Sequence, residues 1–382
     1  MIKTYMLTPG PTPVPEDVLL ATARPVAYHR SPAFAECLAE VREGLRWIFR
    51  TSRSVAILAG SGTAGMEAAV SNFLSPGDKA LVVRGGKFGE RWAEIAAAYG
   101  IETVCVDVEW GRAVDPEIVA RALDADPAIR AVYATASETS TGVRHPVERL
   151  GEICSTRPDV LCVVDAVTAL GVFDLPMDRL GLDVVVAGSQ KALMLPPGLA
   201  FAAVGDKALK AYARSRLPRF YLDLGKDPAS RDKGETAFTP AVSLIVGLRE
   251  SIRRLRAEGL DRVFERHERL ARAARAAGEA LGLPPFAESP TAAVTALRVP
   301  DGMDGTAITR HMRERYGVTI AGGQGRLKGR IVRIAHVGYF GTFDILTAVA
   351  AIEMTLADLG RPVEPGAGVR AAEEILREGR AP

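Results

Sequence analysis

The chain has 382 residues, with 48 basic and 46 acidic side chains, a formal net charge of +2, and 48% hydrophobic residues. This near-neutral balance lacks the basic field that attracts nucleic acids and anionic membranes, so we expect neither as a partner. No stretch of about 18 residues is apolar and uncharged, which argues against a membrane helix, and the length suggests roughly two domains.

The N-terminus and the cysteines indicate the compartment. Residues 1–10 lack the apolar core of a signal peptide. Cys37, Cys105, Cys154 and Cys162 form no CxxC pair, which is typical of buried free thiols in a reducing environment. We therefore expect a cytoplasmic protein, and we predict no metal site.

The first two thirds of the chain alternate short apolar runs with amphipathic segments. The first clear helix starts near Pro32, where apolar residues recur every three or four positions. Strands are predicted at 55–58, 80–83, 103–108, 131–134, 160–164, 184–187 and 199–204, with helical patterns between them. Such nearly continuous apolar runs are typical of strands covered by helices on both faces, so we predict an α/β fold with a mainly parallel, doubly wound sheet.

After Pro240 the pattern changes to longer helices and fewer strands. Helices are predicted at 241–258, 260–281, 306–316 and 343–359, the last of them final, and strands at 293–299, 318–321 and 331–334. This pattern predicts a smaller C-terminal α+β domain, with a boundary near residue 260.

A glycine-rich motif, Gly60 to Gly65, follows the first predicted strand and opens a helix. It matches GxGxxG, and the free N–H groups of a helix N-terminus favour a phosphate ligand. A dinucleotide site would need an acidic residue at the end of the next strand, where Arg84 stands. That arginine could face the 2′-phosphate of NADP, so an NADP-binding oxidoreductase stays open, as does a turn that binds nothing.

Two further residues follow predicted strands. Asp165 lies where open α/β sheets bind ligands, although it could equally cap a helix. Lys191 follows another strand among apolar residues, where a desolvated amine could form an imine, although a solvated lysine is the commoner case. A phosphate cradle, a carboxylate and an imine-forming lysine at one sheet edge are together what pyridoxal 5′-phosphate (PLP) requires.

In this combination of features, the sequence resembles class V, fold-type I PLP-dependent aminotransferases, in particular the alanine–glyoxylate and serine–glyoxylate branch. The resemblance runs from residues 7–15 through 86–92, 138–142 and 238–240 to 329–334. It implies a homodimer with shared active sites. By this resemblance, the cofactor phosphate would be bound by Ser61, Gly62, Thr63 and Gln190, and by Thr239 of the neighbouring subunit. Phe88 would stack on the cofactor ring, Thr139 would contact its phenolic oxygen, and Asp165 would contact its pyridinium nitrogen. Lys191 would be the imine-forming amine. Many relatives carry a tyrosine three residues before Thr239, where this chain has Thr236.

The resemblance also implies the substrate site and the reaction. Arg333 would bind the substrate carboxylate, and strand alternation points Arg330 the opposite way; Gly10 and His29 are further substrate-site candidates. We expect an active-site segment at residues 1–20, a large domain at 21–260 and a small domain at 261–382. The implied reaction moves an amino group from alanine or serine to a 2-oxo acid, glyoxylate in the first place, by a ping-pong mechanism.

Other functions stay open on the same residues. The amino donor could be 2-aminoethylphosphonate, ureidoglycine or pyridoxamine, and the chain could be a non-catalytic accessory subunit. Cysteine desulfuration is disfavoured, because that reaction needs a mobile cysteine near the substrate and no cysteine follows Cys162.

Overall fold

The structure, a computed structural model, describes residues 2–378 apart from the side chains of Ala229 and Arg231, and it alternates strands with helices. The strands are β1 (Tyr5–Met6), β2 (Val55–Gly60), β3 (Lys79–Arg84), β4 (Glu102–Asp107), β5 (Ile129–Thr135), β6 (Ser137–Glu138), β7 (Val143–Arg144), β8 (Leu161–Asp165), β9 (Val184–Gly188), β10 (Gly198–Val204), β11 (Val294–Arg298), β12 (Val318–Thr319), β13 (Ala321–Gly322) and β14 (Ile331–Ala335). The helices are α1 (Glu16–Thr22), α2 (Pro32–Phe49), α3 (Gly62–Ser71), α4 (Lys87–Ala98), α5 (Pro116–Ala125), α6 (Val147–Ser155), α7 (Asp206–Arg214), α8 (Lys226–Arg231), α9 (Val242–Glu258), α10 (Leu260–Ala280), α11 (Gly305–Tyr316), α12 (Thr342–Asp358) and α13 (Ala367–Arg377).

The central sheet has seven strands in the order β2-β10-β9-β8-β5-β3-β4. Strand β10 pairs antiparallel with both neighbours, whereas the other pairings are parallel. Alternate residues of one strand enter hydrophobic clusters on opposite faces: in β3, Leu81 and Val83 pack on one side and Ala80 and Val82 on the other. The predicted doubly wound, mainly parallel α/β fold is therefore confirmed.

A second layer is built from short strands and the C-terminal helices. Strands β11, β14 and β13 form a three-stranded antiparallel sheet, and β1 pairs in parallel with β12. The single strand predicted at 318–321 is wrong, because its two halves pair with different partners. The prediction of 343–359 as the final helix is also wrong, since α13 follows and packs against α10 and α12.

Helix α10 connects the two parts of the molecule. Val263 and Ala271 belong to the hydrophobic cluster beneath the large sheet, whereas Leu270 and Ala274 belong to the cluster of the C-terminal elements. Leu7, from the N-terminal segment, joins the second cluster. The domain bounds at 20 and 260 stay predictions, because a single helix and the N-terminal segment contribute to both regions.

The structure bears on the predictions about membrane helices and cysteines. Among residues 2–378, no helix is long and apolar enough to cross a membrane. All four cysteines are free; Cys37, Cys154 and Cys162 are buried, and Cys105 is half-buried.

Candidate active site

One cavity of about 270 Å³ collects most of the residues singled out in the sequence. It lies where strands β2, β8 and β9, which run in the same direction, reach their carboxyl ends. Ligands of open α/β sheets bind at this edge. The cavity is lined by Gly10, Pro11, Ser61, Gly62, Thr63, Met66, Phe88, Arg91, Asp165, Val167, Thr168, Gln190, Lys191 and Pro197.

Lys191 is a buried amine at the wall of this cavity, with 9% of its surface exposed. Burial lowers the pKa of Lys191 to about 8, an effect that the Asp165 carboxylate opposes and the Arg333 guanidinium reinforces. Its Nζ donates to the Pro9 carbonyl oxygen. Gly10 has a φ of +147°, and a side chain there would overlap the Lys191 ammonium. The N-terminal segment thus closes over the amine and needs glycine at this point.

Asp165 ends strand β8 and is 3% exposed. One carboxylate oxygen accepts the Val167 N–H at 2.8 Å, which fixes its orientation. Burial raises the pKa of Asp165 to about 7 despite this hydrogen bond. Residues 166–183 contain no helix, so the alternative role as a helix cap is wrong.

The proposed phosphate cradle is the start of helix α3. Ser61 is its N-cap residue, and the Ser61 hydroxyl makes no hydrogen bond to the helix, which leaves it available to a ligand. A side chain at Gly62 would lie 2.6 Å from a Val167 methyl group, so the backbone packs closely there. Opposite, the buried Oε1 of Gln190 has no hydrogen-bond partner among the described residues.

Helix α4 supplies an aromatic ring and a cation to the cavity. Phe88 and Arg91 both line it, and the Arg91 guanidinium lies 5.1 Å from the Phe88 ring centroid. Arg91 also donates from Nη1 to Thr63 Oγ1 at 3.3 Å. Arg91 was not among the residues predicted from the sequence, although its position three residues after Phe88 places both on one helix face.

The N-terminus of α4 is held by Glu138, a residue with no role predicted from the sequence. Its carboxylate accepts the N–H groups of Phe88 at 3.1 Å and Gly89 at 3.0 Å, and both the N–H and the hydroxyl of Ser140. A side chain at Gly86, the N-cap position, would occupy the place of this carboxylate. Burial raises the pKa of Glu138, whereas these donors lower it.

Arg333 belongs to β14 of the C-terminal sheet, and its charge acts on Lys191 at the cavity wall. Its guanidinium donates from Nη1 to the Thr139 carbonyl at 2.7 Å and from Nε to the Gly322 carbonyl at 3.0 Å. Burial lowers the pKa of Arg333 to about 10, so it remains a cation at neutral pH. The Thr139 hydroxyl lies 2.5 Å from that of Thr168, which lines the cavity. Arg330 is exposed and lies just before β14, so the alternation predicted for the two arginines does not apply to it.

Besides Thr139 and Arg333, three residues considered in the sequence are not among those that line this cavity. Thr239 is exposed, and the hydroxyl of Thr236 donates to the Phe238 carbonyl at 2.7 Å. His29 is half-buried beside Tyr28, and its Nε2 has no partner among the described residues. Their predicted roles stay predictions.

Residues 4–333 match the family Aminotransferase class-V. The chain belongs to this family. It is 45% identical to "Soluble hydrogenase, small subunit" of Synechococcus sp. over 98% of both chains. It is 38% identical to L-aspartate–glyoxylate aminotransferase of Paracoccus denitrificans, covering 97% of this chain and 95% of the relative, and 36% identical to serine–glyoxylate aminotransferase of Methylorubrum extorquens, covering 98% and 96%.

Solved structures of class V aminotransferases share the fold. Ureidoglycine–glyoxylate aminotransferase of Bacillus subtilis superimposes with a TM-score of 0.93 at 31% identity, covering 98% of both chains. Pyridoxamine–pyruvate aminotransferase of Mesorhizobium loti also gives 0.93 at 31% identity, covering 98% of this chain and 97% of the other. The chain is therefore a PLP-dependent aminotransferase of class V.

The cavity of this aminotransferase suits PLP better than a dinucleotide. The free Ser61 hydroxyl, the unpaired Gln190 amide oxygen and the buried pair Asp165 and Lys191 fit a phosphate ester and an aromatic aldehyde with a ring nitrogen. In a dinucleotide fold the strand after the glycine motif lies beside the first strand. Here β3 is separated from β2 by four strands, and Arg84 forms a bidentate pair with Asp107.

Proposed function

We propose that this aminotransferase transfers an amino group from alanine or serine to a 2-oxo acid, glyoxylate in the first place. The observation that carries the proposal is the buried Lys191 amine, which shares one cavity with Asp165 and the start of α3. Glyoxylate appears in the names of relatives that match almost the whole chain. Their names give different donors, so the donor is the less constrained half of the proposal.

Different residues of the cavity would contact different parts of the cofactor. Ser61, Gly62, Thr63 and Gln190 would hold the phosphate, and Phe88 would stack on the ring. Asp165 would face the ring nitrogen, and Thr139 would contact the phenolic oxygen. When bound, PLP supplies an electron-accepting ring, which stabilises the charge left on a substrate Cα when its proton is removed.

Lys191 would act as amine and as proton carrier. With a pKa of about 8, part of its population is a free amine at neutral pH, which can attack a carbonyl and later accept the substrate proton at Nζ. The Pro9 carbonyl, which accepts from Nζ, would orient the amine. The N-terminal segment covers the amine, so bulk water is kept from the proton in transit.

Arg333 would bind the carboxylate that amino-acid and 2-oxo-acid substrates share. Its planar fork suits a carboxylate, and the two carbonyl hydrogen bonds already fix the plane of the guanidinium. Gly10 lies at the cavity wall, and the Nε2 of His29 has no partner among the described residues. We propose both residues as parts of the substrate site.

Replacement of Lys191 with alanine tests the proposal. Purified enzyme should show the visible absorption of bound PLP, and this absorption should bleach when alanine or serine is added. Lys191→Ala should lose steady-state turnover, whereas Lys210→Ala, which removes an exposed lysine, should keep it. Retained turnover in Lys191→Ala would contradict the assignment. Steady-state rates with varied donor and glyoxylate should give the parallel double-reciprocal lines of a ping-pong mechanism.

A panel of donors and acceptors distinguishes the alternatives. Faster bleaching by aspartate, 2-aminoethylphosphonate, ureidoglycine or pyridoxamine would replace the proposed donor and leave the aminotransferase intact.

We further propose a homodimer in which Thr239 serves the neighbouring active site. Thr239 is exposed, and large apolar side chains that a second subunit could cover are also exposed, including Val26 and Phe220, each 74% exposed. We place this enzyme in the cytoplasm, which suits its four free cysteines.

A complementation experiment tests the shared site. Lys191→Ala and Thr239→Glu should each be inactive, since the glutamate would repel the phosphate. If Thr239 acts across the interface, a mixed dimer contains one intact site, and random mixing should restore about one quarter of wild-type activity. Absence of any recovery, with mixed dimers detected by affinity tags, would refute the contribution in trans.

A further inference from the structure

Two cations line the cofactor cavity, and only one has a role so far. Lys191 is the amine, and the second is Arg91 on helix α4. The Arg91 guanidinium donates to the hydroxyl of Thr63, which is the second residue of helix α3 and part of the proposed phosphate cradle. The cation therefore reaches the phosphate end of the cavity.

The rest of the cradle is uncharged. Ser61, Gly62, Thr63 and Gln190 offer hydroxyl, amide and backbone groups, and a phosphate monoester carries a charge of about −1.5 to −2 at pH 7. Removing such an anion from water is costly unless a positive charge compensates it. The N-terminal dipole of α3 supplies about half a charge, which leaves most of the anion uncompensated.

We propose that Arg91 is the charged ligand of the cofactor phosphate. The inference rests on the proposed cradle and adds a residue to it. One guanidinium donor is used by Thr63, and the planar fork has further N–H groups for phosphate oxygens. The Phe88 ring lies against one face of the guanidinium and restricts its position, so less entropy is lost when the phosphate binds.

The docking of α4 fixes where this cation lies. Glu138 holds the N–H groups of Phe88 and Gly89, in the first turn of the helix, and Arg91 follows within one further turn. Arg91 has no carboxylate partner within the salt-bridge distance among the described residues, unlike Lys87, which pairs with Glu90 on the same helix. Its charge is thus not already neutralised by a neighbouring side chain.

Comparison of PLP with pyridoxal isolates the contribution of the phosphate to binding affinity, because the two ligands differ only in that group. Cofactor-free Arg91→Gln should bind PLP about 10- to 100-fold more weakly, the range expected for a lost charged hydrogen bond. Its Kd for pyridoxal should change less than about 2-fold, because the ring contacts remain. Arg91→Lys should lie between wild type and Arg91→Gln, and it covers the case in which the glutamine variant does not fold.

Lys87→Gln is the matched control, since it removes one positive charge from the same helix outside the cavity, and it should bind both ligands like wild type. An equal loss of PLP and pyridoxal affinity in Arg91→Gln and Arg91→Lys would overturn the proposal in favour of a packing role against Phe88. Unchanged PLP affinity with a raised KM for dicarboxylic donors would overturn it in favour of a substrate contact.

Wild-type behaviour separates this inference from the proposed function. A wild type that binds PLP and pyridoxal with the same affinity would refute the phosphate cradle and Arg91 with it, while the Lys191 chemistry stands. Failure of the wild type to bind either ligand would refute the proposed function as well. Competition by inorganic phosphate for PLP binding, weakened in Arg91→Gln, is the supporting result.

Discussion

The buried carboxylate of Glu138 stabilises the start of helix α4, and Glu138→Gln measures its contribution. The two carboxylate oxygens accept four hydrogen bonds, two from the first turn of the helix and two from Ser140. Glutamine is nearly isosteric, so the substitution changes charge and acceptor capacity without opening a cavity. In the best orientation its amide oxygen keeps the N–H groups of Phe88 and Gly89.

The glutamine NH₂ group must then face Ser140. The Ser140 hydroxyl can rotate and become the acceptor, but its N–H group loses a buried partner, which costs about 1–3 kcal/mol. The remaining hydrogen bonds become weaker because their acceptor is no longer charged. Removal of a desolvated carboxylate offsets part of this loss of stability. We expect a net loss of about 1–3 kcal/mol in the free energy of unfolding and weaker PLP binding, since Phe88 and Arg91 lose their fixed position.

Urea unfolding of the cofactor-free variant and a PLP titration measure the two effects. Glu152→Gln is the control, since it removes a 64% exposed carboxylate that pairs with Arg149, and it should change the unfolding free energy by less than about 1 kcal/mol. If Glu138→Gln matches wild type in both measurements, the charge of Glu138 does not hold the helix.

Three further predictions concern other buried groups. Burial lowers the pKa of His145 to about 4 and of His336 to about 3, and that of His267 far below its usual value, so these imidazoles stay neutral in the fold. Unfolded histidine is protonated below about pH 6.5, so stability should fall by about 2 kcal/mol per histidine between pH 6.5 and 5, and a flat urea profile over that interval would contradict this. Arg333→Lys should raise KM for donor and acceptor by about 10- to 100-fold with unchanged PLP affinity, because the planar fork is lost; an unchanged KM would exclude Arg333 as the carboxylate ligand. Gly10→Ala should displace Lys191 and reduce kcat at least about 10-fold, which single-turnover kinetics would detect; an unaltered rate would show that the segment adjusts freely.

Local patterns in the sequence predicted the large sheet well, because its inner strands, such as β8, β9 and β10, are buried on both faces and read as continuous apolar runs. The order of those strands was not predictable in the same way. Strand β2, which precedes the glycine motif, is an edge strand beside the antiparallel β10. Strand order depends on contacts between segments far apart in the chain, which local periodicity does not report.

Local sequence patterns also predicted part of the site, namely the residues that stand out from their neighbours. Asp165 and Lys191 stand out because a charged residue directly after an apolar run needs an explanation. Arg91 and Glu138 gave no such signal, since Arg91 lies in an amphipathic helix and Glu138 lies in the short polar strand β6. Only the packing of α4 against residues 137–140 shows that a carboxylate can cap a helix from outside it. The split of residues 318–322 between two sheets likewise depends on pairing with distant strands.

Burial of the Lys191 amine, which the reaction requires, lowers the free energy of unfolding, and Lys191→Met should reveal this loss. Burial lowers the pKa of this amine from 10.5 to about 8, so below pH 8 the folded chain holds an ammonium that the unfolded chain would solvate better, a penalty of about 3 kcal/mol. Methionine removes the charge at similar volume, while the Pro9 carbonyl loses one donor at about 1 kcal/mol. We therefore expect the cofactor-free variant to be about 2 kcal/mol more stable than wild type at pH 7.

The gain in stability of Lys191→Met should vanish as the pH rises from 8 towards 10.5, because the unfolded lysine then loses its proton as well. Lys210→Met, at an exposed position, should show no such pH dependence. A variant less stable than wild type at pH 7 would mean that the Lys191 ammonium is well accommodated, and would remove the physical basis for its lowered pKa.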